Sequence, residues 1–168
     1  KSIPKEPIKV PAKLLSYFLN NQSMRIFNTI YFYKNYLQKK IKKINLKEKK
    51  FDKKSIFCTL LLSGNKEIRN LNKKFRNKNK STDVLSFPFQ TKRELNNKLK
   101  KEKEIYLGDI IINLNKIKSK KILKNFKNEF DRLWIHGLVH LFGHNHKKNK
   151  EFLRMIKIEK KYFDFINV

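Results

Sequence analysis

The stretch HGLVHLFGHNH, residues 136–146, constrains the fold more than any other, because it packs all four histidines of the 168-residue chain around Gly143. Residues four apart stack on one face of a helix, so His136 and His140 present two imidazoles from adjacent turns. Three residues after His140 comes Gly143, where a helix can end in a left-handed residue that glycine adopts without steric cost. The turn carries the chain back and delivers His146. The pattern HxxxHxxGxxH thus predicts a helix, a glycine stop and a return, with three imidazoles converging on one ion at the end of a C-terminal helix.

Three neutral imidazoles fill three positions of a tetrahedral zinc site and leave the fourth for water, whose pKa the ion brings down to about 7. An open site of this kind points to catalysis rather than scaffolding. The metzincin zinc proteases share the spacing, but Gly137 stands where those enzymes carry a glutamate base, so a metalloprotease would lack its proton acceptor. His144 is an alternative third ligand. Placed directly after Gly143 it suits the turn less well than His146, and it is expected beside the ion or facing the substrate.

Periodicity supplies the rest of the architecture. Three prolines, Pro4, Pro7 and Pro11, predict an irregular N-terminal arm over residues 1–23 with at most a short strand. From Ile26 the apolar positions Ile26, Ile30, Tyr33, Leu37, Ile41 and Ile44 recur at helical spacing. SIFCTLLL, residues 55–62, reads as a central strand covered on both faces. Ser63 or Gly64 can cap a helix lined by Ile68, Leu71 and Phe75. TDVLSFPF reads as an exposed strand whose Pro88 argues for an edge or a strand end, and TKRELNNKLKKEKE as a solvated excursion. IYLGDIIIN is a buried strand. A weak helix over 116–126 and a strong one over 128–142, capped by Asn128 with Glu129 and Asp131 in its first turn, come next. A last helix from about Asn149, itself the cap, to Phe165 places Phe152, Met155, Ile156, Phe163 and Ile166 on one face. Helices and strands that do not strictly alternate predict a single α+β domain over 24–168, a small mixed sheet packed by several helices.

The net charge of +28 ordinarily signals a polyanionic partner. Of the 42 basic residues 36 are lysine and there is a single alanine, Ala12, the kind of composition that AT-rich coding sequence produces, so part of the charge carries no information about partners. The lone cysteine, Cys58, lies in an apolar run, which excludes an intrachain disulfide and suits a reducing compartment. LLSYFL, the longest apolar stretch near the N-terminus, is too short to span a bilayer. The expected location is the cytoplasm, or an organellar matrix if the chain, which begins at Lys1, is a processed organelle protein.

HGLVHLFGHNH resembles the signature of the YbeY family of rRNA-maturation endoribonucleases, approximately HGxLHLxGYDH. Two further blocks agree in order and spacing: IRNLNKKFRNKNKSTDVLSFPF, residues 68–89, resembles the family's LNxxYR segment followed by TDVLSFPF, and LGDIIIN resembles its GDI strand. The likeness covers about residues 55–160. It implies one zinc ion held by His136, His140 and His146, an arginine needed for activity at Arg76, and hydrolysis of RNA phosphodiesters during maturation of small-subunit rRNA. His144 takes the usual tyrosine position and Asn145 the usual aspartate position, removing a carboxylate able to orient a ligand or move protons.

The chemistry suits that implication. Phosphodiester cleavage needs an activated oxygen and positive charge where the phosphorane develops, and the guanidinium of Arg76 matches phosphate oxygens in a way a lysine does not. Lys73, Lys74, Lys78 and Lys80 surround it. Asp83 and Asp109 lie in the two resembling strand segments, where shaping the cleft, hydrogen-bonding a ligand histidine, or a capping or turn role is expected. The resemblance, with chemistry that suits it, implies a zinc-dependent, single-strand-specific endoribonuclease with precursor rRNA of the small subunit as partner, and neither DNA nor a membrane is expected. The alternative is a non-catalytic ribosome- or RNA-binding module with a structural zinc.

Overall fold

A computed structural model describes residues 25–118, 122–146 and 148–167. The predicted arm over 1–23 lies outside the described residues, as do the side chains of Ile26, Ile30 and Tyr33. The first helix, α1 (Arg25–Lys47), follows the predicted period and buries Leu37, Ile41 and Ile44. Strand β1 (Ser55–Ser63) leads through Gly64 into α2 (Asn65–Arg76), whose first turn is held by the Glu67 carboxylate accepting from the Gly64 amide at 3.2 Å. Of the predicted α2 face, Ile68 and Leu71 are buried, but Phe75 lies outside.

Strand β2 (Val84–Pro88) and β3 (Glu104–Asn113) complete a mixed sheet of order β1–β3–β2 among the described residues, with β1 parallel and β2 antiparallel to β3. SIFCTLLL is thus not the central strand. That place goes to β3, whose isoleucine run is almost continuously buried and pairs on both sides. Pro88 stands at the end of the edge strand β2, where its missing N–H breaks no ladder bond. The same strand is less exposed than its sequence suggests, since Val84 and Leu85 are buried.

TKRELNNKLKKEKE is not merely a solvated excursion. It contains α3 (Lys92–Lys101), started by a capping box in which Thr91 Oγ1 accepts from the Glu94 amide and the Glu94 carboxylate accepts from the Thr91 amide at 2.8 Å. Leu95 anchors it in the core. Of the weak helix expected over 116–126, only Leu123–Phe126 is α-helical among the described residues, and it is continuous with the strong one in α4 (Leu123–Leu141), which has Ile122 and not Asn128 at its start. Leu114–Lys116 forms a 3-10 turn, and 119–121 lie outside the described residues. Phe126 stacks on Phe130 across one turn at 6.1 Å, so the apolar face runs unbroken past Asn128. Asp131 is buried mid-helix rather than serving a first turn; it accepts from Trp134 Nε1 at 2.8 Å and Tyr36 Oη at 3.0 Å and pairs with Lys40.

The last helix, α5 (Asn149–Asn167), has Asn149 as its first residue instead of its cap. It buries Met155, Tyr162 and Ile166, while Phe152 and Ile156 face outward, so the apolar stripe is rotated from the expected one. Helices α1, α4 and α5 share one core with Ile105, Leu107, Ile110 and Ile112 of β3; α2 covers the opposite face, at Ile111 and Leu85. Burying side chains such as Ile135, Leu138 and Val139 completely contributes about 1.5–3 kcal/mol each. No helix among the described residues is long and apolar enough to cross a membrane.

Candidate metal centre

Helix α4 reaches β3 at Gly137, where an added Cβ would lie 2.7 Å from Ile110 Cγ2. This close approach seats the helix on the sheet and turns the next face, bearing His136 and His140, to the outside. The two rings stand 4.7 Å apart at 87°. The helix then stops as the sequence predicts: Gly143 has φ of 76°, its amide donates to His140 O at 2.8 Å, and the His144 amide donates to Val139 O at 3.3 Å. The reversal brings the His146 ring to 5.0 Å from His140 and 5.6 Å from His136. One ligand atom from each of the three histidines lies within 4.8 Å of the others.

Hydrogen bonds behind the rings fix which nitrogens face inward. His140 Nδ1 lies 2.8 Å from the carbonyl oxygen of His144, which can only accept, so the proton of a neutral ring sits on Nδ1 and the Nε2 lone pair is free. His136 Nδ1 is likewise 2.8 Å from Glu159 Oε1. The two Nε2 atoms therefore meet at 3.2 Å with both lone pairs directed inward, an arrangement that a cation between them relieves. Burial foremost, and then the neighbouring histidines, lower the pKa of His140 from its ordinary value, which favours the neutral, ligating form. His146 is exposed, leaving one side of the group open to solvent. The donor set thus fits a divalent ion of the borderline kind that imidazole prefers.

His144 is not one of the converging ligands. Its backbone carbonyl orients His140, while its half-buried ring is held below the ordinary histidine range by burial and then by Lys92, Lys50 and Arg154. Asn145 is exposed. The carboxylate that orients His136 comes instead from Glu159, a residue the sequence reading missed. A signal existed: Glu159 falls on the helical stripe of Met155, Tyr162 and Ile166, and a lone acid on a buried stripe asks for a partner.

The other candidates sit elsewhere. Arg76 ends α2, is exposed, and makes no hydrogen bond or ion pair with a described residue; α2 and α4 pack on opposite faces of the sheet. Asp83 has a turn role, its carboxylate accepting from the Val84 amide at 2.9 Å and from Thr82 Oγ1 at 3.0 Å. Asp109 is buried and accepts from Tyr106 Oη, and burial raises its pKa from the usual carboxylate value. A depression of about 420 Å³ bordered by Thr82, Asp83, Lys116, Lys118, Glu129 and Leu133 opens along α4 on the stripe that continues to His136 and His140.

Comparison with known proteins agrees with the geometry. The family model described as Endoribonuclease YbeY matches residues 18–167. The Endoribonuclease YbeY of Pelagibacter ubique is 50% identical over 123 residues, covering 71% of this chain and 76% of the relative. That of Buchnera aphidicola from Acyrthosiphon pisum is 35% identical over 136 residues, covering 80% and 81%. A solution structure of a Thermotoga maritima protein superposes with a TM-score of 0.52 at 27% identity, covering 79% of both chains. With a family model spanning nearly all of the described fold and a relative identical at half of the aligned positions, this chain belongs to the Endoribonuclease YbeY family.

Proposed function

We propose that this protein is a metal-dependent endoribonuclease that cuts single-stranded RNA, with one zinc ion held by His136, His140 and His146, and that its substrate is precursor rRNA of the small ribosomal subunit. The observation that carries the reading is the pair of Nε2 atoms 3.2 Å apart with each Nδ1 already engaged by an acceptor. Family membership supports RNA as the polymer cleaved. The ion, when bound, supplies Lewis acidity toward a phosphodiester and its attacking oxygen.

The remaining work falls to the chain itself. Glu159 holds the proton on His136 Nδ1 and fixes the ring plane, and the His144 carbonyl does the same for His140. Gly137 admits no side chain, so the metzincin-type base has no place here, and Asn145 offers no carboxylate beside the third ligand. Arg76, exposed and free of partners among the described residues, is available to a phosphate of the substrate as a planar donor. The site of action is where ribosomes assemble, the cytoplasm or an organellar matrix.

The deciding experiment is RNA cleavage by purified wild type and His136→Ala, with and without chelator, alongside metal analysis of both. Cleavage of unpaired RNA that disappears with chelator and in the variant is expected. Cleavage indifferent to both would sink the proposal. The alternative, an RNA-binding module with a structural ion, is favoured by the loss of a carboxylate at Asn145 and predicts bound metal and tight RNA binding without turnover.

A further inference from the structure

Helix α2 covers only part of its face of the sheet. Ile68 and Leu71 close over Leu85 and Ile111 toward the end of β3. Nearer the start of β3 the same face carries aromatic rings. Phe57 and Tyr106 are paired at 5.5 Å, Tyr106 and Phe89 at 5.4 Å, and Phe87 and Phe75 at 5.3 Å. Phe87 packs against Ile68, Leu71, Leu85 and Ile111 on this face. Phe89, just past the end of β2 with its amide still donating to Leu107 O at 2.9 Å, meets Tyr106 on it, so the two groups of rings lie next to each other as a row. Phe89 is 60% exposed and Phe75 47%. Single exposed rings are ordinary on a protein surface, but a contiguous row is not.

Tyr106, which lies between Phe57 and Phe89, is held from beneath. Tyr106 Oη donates to the buried Asp109 carboxylate and lies 3.0 Å from Thr59 Oγ1. A bulge sets this pairing, since one residue separates Phe57 from Thr59 while two separate their partners Tyr106 and Asp109. The extra residue is Gly108, with φ of 132°, where any Cβ would sit 2.2 Å from Phe87 O. Rings fixed before a ligand arrives lose little freedom on binding it.

Charge at the row's edge is positive. The last turn of α2, which bears Phe75, contains Lys73, Lys74 and Arg76, and Lys74 Nζ lies 5.5 Å from the Phe75 ring centre. A row made of rings alone, without leucine, isoleucine or methionine, and flanked by cations, matches the two demands of an unpaired nucleic-acid strand: π-faces for bases and positive charge for phosphates. We propose that Phe57, Tyr106, Phe89, Phe87 and Phe75 form a stacking platform for unpaired bases of an RNA strand. The choice of RNA rests on the endoribonuclease reading; the stacking role rests on the rings.

The test measures binding of the full chain, in excess chelator, to a short unstructured oligoadenylate and to an abasic phosphodiester oligomer of equal length. Phe89→Leu and Phe75→Leu are each expected to weaken oligoadenylate binding about tenfold. Abasic binding should stay unchanged, and Phe89→Trp should retain wild-type affinity. Equal oligoadenylate affinity of wild type and the Phe75→Leu/Phe89→Leu double variant overturns the platform. So does a change in oligomeric state in place of RNA affinity, which would assign the rings to contact between copies. Cleavage by the wild type with metal restored is scored separately, so absence of turnover defeats the nuclease reading while loss of base-dependent binding still supports the platform.

Discussion

Glu159 on α5 accepts from His136 Nδ1 on α4 at 2.8 Å, so the last helix of the fold, 23 residues further along the chain, sets the tautomer of the first histidine of the metal group. Carboxylates behind ligating histidines raise ligand basicity and hold ring orientation, and their loss typically weakens metal affinity about 10–100-fold. Glu159→Ala is expected to show a loss of that order in competition titration against a chelator. Glu159→Gln, which keeps an acceptor but no charge, should lose less. Equal affinity in all three proteins would remove Glu159 from the site.

The division between ring and carbonyl makes a second prediction. His136→Ala, His140→Ala and His146→Ala should each abolish stoichiometric metal in elemental analysis. His144→Ala should retain it, because the group at 2.8 Å from His140 belongs to the backbone of residue 144. Metal lost from His144→Ala but kept in His146→Ala would exchange their roles.

Gly137 and Gly143 fail for different reasons. Gly137→Ala pushes a methyl to within 2.7 Å of Ile110, and overpacking of this kind costs about 1–3 kcal/mol against a gain of at most about 1 kcal/mol in helix propensity. Gly143→Ala forces an L side chain to φ of 76° and into the Lys92 stem at 2.8 Å. Chemical denaturation should therefore show both variants destabilised, with the Gly143 change also weakening metal binding because it misplaces His146.

Protons compete with the metal and with folding in the same direction. His140 and His144 have folded pKa values below the ordinary 6.5, chiefly through burial, so the folded state binds fewer protons than the unfolded one. Their contribution to stability is present above pH 6.5 and is lost as pH falls below it. The metal-free protein should melt at progressively lower temperature below about pH 6.5, and His140→Gln should flatten that slope. A melting temperature constant from pH 7.5 to 5.5 would contradict this.

Asp109 behaves oppositely. Its folded pKa is raised from 3.8 by burial, so ionisation costs stability once the pH exceeds that value. Asp109→Asn, which keeps an acceptor for Tyr106, is expected to be more stable than wild type at pH 7, with the gain vanishing near pH 3.8. A destabilised variant at neutral pH would show that the charge itself is needed.

By itself the sequence determined the local parts. The spacing of His136, His140 and His146 around Gly143 prescribed a helix, its stop and its return, because one helical turn and one left-handed residue are settled within about ten residues. The periods over Leu37–Ile44 and IYLGDIIIN were legible for the same reason. Tertiary structure decided what depends on distant neighbours. It made β3 and not β1 the central strand, turned α5 so that Glu159 and not Phe152 faces inward, and put Arg76 across the sheet from α4. The Thr91–Glu94 capping box that starts α3 was written locally, but the lysine-rich run masked it until Leu95 found a core to enter. Burial is a property of the assembled layers, so a residue's period can fix which side of its helix it occupies but not what that side will meet.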